Sequence, residues 1–112
     1  MNLVRGLLLV EAATFAAAAL SHSGILIADP VAATAEAILA AVLLIGWLVT
    51  AWRPTWTRRT AVAVQAFALA GDLLGLTITV LADPERVADI VFHGGIAIML
   101  GVGIVLAIRL RR

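Results

Sequence analysis

Four long apolar stretches follow one another along the chain, and short polar segments separate them. The stretches cover about residues 3–27, 31–52, 60–81 and 86–108. Each has about 20 residues, and a helix of that length crosses a hydrocarbon core about 30 Å thick. None shows the strict alternation of β-barrel strands. The pattern therefore predicts an all-α fold, a polytopic membrane four-helix bundle that forms a single transmembrane domain over residues 1–112.

The composition excludes most soluble classes. Of the 112 residues, 63% are hydrophobic and only 13% are charged, which leaves too few polar side chains to cover a soluble globule. A soluble domain carries about a quarter of charged residues. The chain has no Cys, so disulfide frameworks, thiolate metal sites and thiol redox chemistry are excluded together.

Two Asp-Pro pairs mark the connections on one side of the bundle. Asp29-Pro30 separates the first two stretches, and Asp83-Pro84 separates the last two. An Asp side chain accepts hydrogen bonds from the free N–H groups at a helix start, and Pro fits the first helical position because its missing donor is not needed there. We therefore predict that a helix begins at each pair.

The arginines predict the orientation. Seven of the eight lie on the side of both termini and the middle connection, and only Arg86 lies on the other side, among acidic residues. The positive-inside rule then places both termini in the cytoplasm. Trp47, Trp52 and Trp56 flank the same boundary, where indoles anchor at headgroup depth. Because the positive charge is explained by the lipid bilayer, no nucleic-acid partner is expected.

The two halves of the chain resemble each other. A shift of about 54 positions aligns Val10-Glu11-Ala12 with Val64-Gln65-Ala66, and Ala28-Asp29-Pro30 with Ala82-Asp83-Pro84. This predicts two parallel-repeat helical hairpins, residues 1–54 and 55–112, related by an axis along the membrane normal. The alternative is coincidence, because Pro turns suit any membrane hairpin.

Six polar side chains remain inside the spans once the boundary charges are set aside. An ionisable group in hydrocarbon costs several kcal/mol unless it faces the bundle interior and finds a partner, so each is a candidate for function. The six are Glu11, His22, Glu36, Gln65, Asp72 and His93. Glu11 and His22 are 11 residues apart and share a helix face, as do Gln65 and Asp72, seven apart.

Depth below the Asp-Pro turns pairs each imidazole with a carboxylate. His22 lies seven residues before Asp29 and Glu36 lies seven after it, so both are about 10 Å below the turn. Asp72 and His93 lie 11 residues before and 10 after the second turn aspartate, about 15 Å down. We predict the pairs His22–Glu36 and Asp72–His93, which together form a ligand- or ion-binding site in the outer half of the bundle.

Four interpretations of these residues stay open. The polar groups could only fix helix packing, in a structural or accessory membrane subunit. They could bind a metal ion at His22, Glu36, Asp72 and His93, since imidazole with carboxylate suits Zn²⁺, Mn²⁺ or iron. They could conduct protons or ions. They could line a haem or quinone pocket, although the depths of the two histidines differ by about 5 Å and fit haem ligation poorly. Of these interpretations, we favour a site that binds a proton or a metal ion.

The remaining expectations concern chemistry and assembly. Glu11 and Gln65 are expected to form a second polar layer that faces the cytoplasm. No nucleophile constellation is visible, because Ser21 and Ser23 point away from the imidazole between them, so an enzyme is not expected. Four helices leave little room for a pore, so we expect a homo-oligomer or a larger membrane complex.

Two families share features with the chain. The segment Gln65 to Gly71, with Gly75-Leu76 and with Asp89, Val91 and His93, is similar to an uncharacterised group of small bacterial four-helix membrane proteins. This resemblance covers the second half of the chain and implies a bacterial inner membrane and no activity. The length, the four spans and Glu11 also resemble the small multidrug resistance transporters, whose helix 1 glutamate exchanges protons. The absence of Tyr and the presence of His22 and Asp72 depart from that pattern, so it serves only as an analogy of mechanism.

Overall fold

The computed structural model is an all-α bundle, and it describes residues 2–24 and 29–110. No β-strand occurs in these two ranges, as the sequence predicted. The bundle measures 45 × 22 × 16 Å, with its long axis along the helices. Its helices are α1 (Asn2–His22), α2 (Pro30–Trp52), α3 (Thr57–Ala82) and α4 (Val87–Ile108), and a 3-10 helix (Pro54–Trp56) joins α2 to α3.

The distribution of polar and apolar side chains is that of a membrane protein. All four α-helices are long and apolar enough to cross a bilayer, which makes the chain a multi-pass membrane protein by helix length and composition. Large hydrophobic side chains cover the outside, and Leu20, Leu74 and Ile98 are 60%, 63% and 71% exposed. The interior holds buried acids, histidines and a glutamine as well as apolar groups. Lipid is the solvent that favours such an outer surface.

The two Asp-Pro pairs occupy different positions relative to the helices. Asp29 caps α2 as predicted, since its side chain accepts from the N–H of Ala32 and Pro30 is the first residue of the helix. The prediction for the second pair was wrong: Asp83 is the C-cap of α3, and α4 begins only at Val87. The reason is a turn between them, closed by a bond from the Arg86 N–H to the Asp83 carbonyl at 3.0 Å.

Helix α1 is shorter than the first apolar stretch. It ends at His22, and Gly24 follows with a φ of +111°, a left-handed value that favours glycine. The rest of the predicted first stretch, residues 25–27, lies outside the described residues. His22 is therefore the last helical residue of α1, next to the connection and close to the start of α2.

The helices pack as two hairpins. α1 packs most extensively on α2, α3 packs on α4, and the hairpins meet mainly through α2 and α3, whereas α1 and α4 touch less. The apolar core contains the fully buried side chains of Leu8, Phe15, Leu43 and Leu100. One end of the bundle, called here the turn end, carries Asp29 and the turn at Asp83. The polar site described next lies in this half.

Candidate functional site

The first imidazole–carboxylate pair joins α1 to α2. Nδ1 of His22 lies 2.5 Å from Oε1 of Glu36, and the two residues are only 4% and 3% exposed. His22 ends α1 and Glu36 lies less than two turns into α2, so the short connection places them at the same level. This is the pair that helix depth predicted.

The second pair joins α3 to α4 in the same manner. Nδ1 of His93 lies 2.7 Å from Oδ1 of Asp72, whose side chain is fully buried. In both pairs one ring nitrogen bonds a carboxylate oxygen, and a single proton on that nitrogen or on the acid completes the bond. A further proton converts the pair from anionic to neutral overall. Each pair can therefore take up a proton and become neutral, whereas in the deprotonated state its one negative charge is stabilised by the imidazole N–H.

Each pair leaves one carboxylate oxygen unused. Oε2 of Glu36 and Oδ2 of Asp72 are buried and have no hydrogen-bond partner within residues 2–24 and 29–110. Both residues line a cavity of about 490 Å³ between α2, α3 and α4, together with His93. Because an unsatisfied buried acceptor is unfavourable, these oxygens are the natural place for a proton or a donor group.

Arg86 and Asp89 also belong to the site, although in the sequence they look like charges at the membrane boundary. Nε2 of His22 lies 3.3 Å from Oδ1 of Asp89 and 3.4 Å from Nη2 of Arg86. Arg86 and Asp89 also form an ion pair with each other. The spacing of Arg86, Asp89 and His93, at i, i+3 and i+7, puts them on one face of α4 and its N-terminus, and this spacing is the signal that could have revealed them.

Arg86 also connects the two hairpins at the turn end. Its Nη1 lies 3.1 Å from Oδ2 of Asp29 and 3.9 Å from Oδ2 of Asp83. The backbone bond from Ala32, together with the Arg86 guanidinium, lowers the pKa of Asp29 below its usual value. Although burial acts in the opposite direction, the carboxylates of Asp29 and Asp89 raise the pKa of Arg86. Arg86 therefore stays cationic.

A second cavity lies between α1 and α4, which pack on each other less than α1 packs on α2 or α3 on α4. Its volume is about 650 Å³. Its walls are mostly small side chains such as Ala13, Ala17 and Ala88, and His22 and Asp89 lie on it as well. Asp89 lines both cavities, whereas Glu36 lines only the one between α2, α3 and α4.

The predicted second layer, Glu11 and Gln65, forms where α1, α3 and α4 meet. Both side chains are fully buried. Nε2 of Gln65 donates to the Ala61 carbonyl at 3.0 Å, whereas Oε1 of Gln65 and both carboxylate oxygens of Glu11 have no partner in the part of the chain that the structure describes. A Cβ atom added at Gly103 would collide with Oε1 of Gln65 and lie 3.0 Å from Oε2 of Glu11, so the two side chains adjoin the same glycine.

This geometry does not support a metal-ion site. Across residues 2–24 and 29–110, no group of three or more His, Cys, Asp or Glu side chains is placed to hold a metal ion. His22, Glu36, Asp72 and His93 form two separate pairs, one in each hairpin. What the arrangement offers chemically is proton binding at each pair.

Comparison with known proteins does not add a function. The chain matches no protein-family model, no curated protein and no solved structure. Function is therefore inferred from the residues of the site and their geometry.

Proposed function

We propose that this chain is an integral membrane protein that binds and exchanges protons at its two buried imidazole–carboxylate pairs. The observation that carries the proposal is the pair of contacts from Nδ1 of His22 and of His93 to acid oxygens, inside a bundle with an apolar exterior. Imidazole is the side chain whose charge changes near neutral pH. A carboxylate beside it keeps a second proton from creating an unpaired charge in the membrane.

The proposal includes an orientation. Both termini lie in the cytoplasm of a bacterium, in its inner membrane, and the pairs lie in the outer half of the bilayer. The arginine distribution supports this, as do the contacts of Arg5 with the Trp47 ring at 5.7 Å and of Arg53 with the Trp56 ring at 5.0 Å, which suit a headgroup boundary. The two hairpins are then parallel repeats of one ancestral unit.

The proposal also includes an assembly. One four-helix bundle leaves little room for a continuous polar path between the two membrane faces. Passage of protons across the whole membrane would then need a homo-oligomer or a larger membrane complex. Proton binding at the pairs needs no such partner, so the two ideas can be tested apart.

The test uses the fact that the chain has just two histidines. Nitrogen NMR of the full-length protein, labelled with ¹⁵N-histidine and held in lipid bilayers, reports the protonation of each ring nitrogen, and His93→Gln assigns the two sets of signals. We expect both imidazoles to change reversibly between singly and doubly protonated forms as the pH of the medium is changed. Rings whose signals stay constant over the range in which the protein remains folded would favour a structural or accessory subunit.

The same sample distinguishes proton binding from a metal or haem site. Elemental analysis and a visible absorption spectrum of the purified protein test a metal ion and haem directly. Stoichiometric metal or a haem absorption band would replace the proton proposal with a cofactor-binding one. We expect neither.

A further inference from the structure

The imidazole of His22 has a different charged group at each nitrogen. Nδ1 faces Glu36 of α2 at 2.5 Å. Nε2 faces Asp89 of α4 at 3.3 Å and Arg86, the residue before α4, at 3.4 Å. Within the described ranges these are the charged groups that face the ring, and Asp29 lies beyond them, bonded to Arg86. His93 differs, because only its Nδ1 has a charged partner among the described residues.

We infer that His22 is a proton relay between Asp89 and Glu36, and that Arg86 blocks this relay when it donates a hydrogen bond to Nε2 of His22. The inference rests on the proposed function, since it gives the route by which the first pair exchanges its proton. Asp89 and Arg86 become positioning and transfer residues of the site, a role that goes beyond their place at the membrane boundary.

The transfer balances in protons and charge. In the resting arrangement Nδ1–H of His22 donates to the Glu36 carboxylate, and Nε2 carries a lone pair. A protonated Asp89 gives its proton to Nε2, and the Nδ1 proton passes to Oε1 of Glu36. The products are an Asp89 carboxylate, a neutral Glu36 and a neutral imidazole that carries its proton on Nε2. One proton has then moved from Asp89 to Glu36, and the reverse transfer restores the first state.

Arg86 competes with Asp89 for the same nitrogen. When Nε2 has no proton, it accepts a hydrogen bond from Nη2 of Arg86. A guanidinium does not give up its proton in proteins, so this bond occupies Nε2 without delivering anything to it. When Nε2 is protonated it donates to Asp89 instead, and Arg86 no longer has an acceptor there. The bond from Arg86 to Asp29 keeps the guanidinium within reach of both states.

The relay also connects two spaces in the bundle. His22 lies on the cavity between α1 and α4, Glu36 lies on the cavity between α2, α3 and α4, and Asp89 lies on both. A proton that reaches Asp89 from the cavity between α1 and α4 and crosses the ring from Nε2 to Nδ1 therefore arrives at Glu36, a residue of the other cavity. The relay thus accounts for a histidine that is 4% exposed yet adjoins a space large enough for water.

The test is the rate of hydrogen exchange at the His22 ring, measured by NMR on the ¹⁵N-histidine protein in bilayers. Asp89→Asn removes the proton donor and keeps the shape, and we expect exchange to slow by about tenfold or more. Arg86→Gln removes the competing cation, and we expect exchange to become faster by a similar factor. Asp89→Glu should restore much of the rate. Glu85→Gln is the matched control, because Glu85 is exposed in the same turn and lines neither cavity.

The opposite signs of the two effects separate the relay from a structural role. Loss of the Arg86–Asp89 ion pair loosens the turn end in either variant, so a merely structural role predicts a change in the same direction for both. Equal rates in all variants, or changes of the same sign, would overturn the relay while leaving the reversible protonation of His22 intact. A ring that never changes its protonation state would overturn the proposed function itself. His93 in the same spectra serves as the internal reference for general loosening.

Discussion

Nη1 of Arg86 lies 3.1 Å from Oδ2 of Asp29, and this contact joins residues 57 positions apart at the turn end of the two hairpins. The same guanidinium pairs with Asp89 and touches His22, so one side chain connects the α1–α2 turn, the start of α4 and the first imidazole–carboxylate pair. The charged groups at the turn end and the buried pair of His22 and Glu36 therefore form a single polar network. We therefore expect substitutions at the turn end to affect the buried pair.

Asp29 should contribute to stability in a pH-dependent way. We expect Asp29→Asn, which keeps the cap on α2 but removes the charge, to destabilise the protein by about 0.5–1 kcal/mol. Because the folded protein holds the pKa of Asp29 below its unfolded value of about 3.9, this contribution is present above that pH and is lost as the pH falls through the folded pKa. Unfolding in micelles at neutral and acidic pH measures it.

The control for this effect is Asp29→Ala, which also removes the cap. It should cost about 1 kcal/mol more than the Asn variant, and this additional loss should not depend on pH, because neither Asn nor Ala titrates. A pH-independent difference between wild type and Asp29→Asn would contradict the assigned pairing with Arg86.

The pair of His22 and Glu36 should couple more strongly than ordinary polar contacts in membranes. A double-mutant cycle with His22→Gln and Glu36→Gln is expected to give a coupling of about 1–2 kcal/mol, because the bond is short, buried and charge-assisted. Polar pairs between membrane helices average about 0.6 kcal/mol. Unfolding free energies of the four proteins measure the coupling, and a value at or below that average would show that the two side chains merely fill space.

The two membrane glutamates should respond oppositely to the same substitution. Glu36→Gln breaks a bond to an imidazole and is expected to lower the melting temperature. Glu11→Gln is expected to raise it, because both Glu11 oxygens lack a partner among the described residues, whereas an amide can donate to Oε1 of Gln65 nearby. Thermal unfolding of the two variants and the wild type measures both changes in melting temperature. Destabilisation of similar size by both would show that the Glu11 carboxylate stabilises the folded protein through a partner of its own.

Gly103 should be intolerant of a methyl group. A Cβ there collides with Oε1 of Gln65, whose amide is held to the Ala61 carbonyl, so we expect Gly103→Ala to destabilise by about 1–3 kcal/mol. Gly101→Ala is the matched control in the same helix, since a Cβ there meets nothing within 4 Å. It should be neutral or stabilising by up to about 1 kcal/mol, the helix-propensity gain. Equal effects at the two positions would place the second polar layer, Glu11 and Gln65, away from α4.

Helix depth was sufficient to predict both imidazole–carboxylate pairs. His22 and Glu36 are equally far from the capping Asp29, and antiparallel neighbours with a fixed rise per residue must bring such positions to one level. The same counting works for Asp72 and His93, because the connection between α3 and α4 is also short. The four-helix architecture followed from apolar length alone, for the same reason that lipid excludes irregular backbone from its interior.

The other contacts of the site and the turn before α4 could not be predicted from residue spacing. Arg86 and Asp89 look like boundary charges in the sequence, and only the reach of their side chains brings them to Nε2 of His22. Pro84 lies in a turn and not at a helix start. The Asp83 carbonyl accepts a hydrogen bond from the Arg86 N–H, and α4 begins only after this turn. Which ring nitrogen meets which partner likewise depends on rotamers, and rotamers are set by packing.

The most direct test of proton exchange at the buried pairs is a count of protons. Potentiometric titration of the purified full-length protein in bilayers, compared with the His22→Gln, His93→Gln double variant, measures how many protons the two pairs exchange with the medium while the fold is intact. We expect the wild type to take up reversibly close to two protons more than the variant on acidification, one for each histidine in the chain. Identical titration curves for the two proteins would contradict the claim that these buried pairs exchange protons.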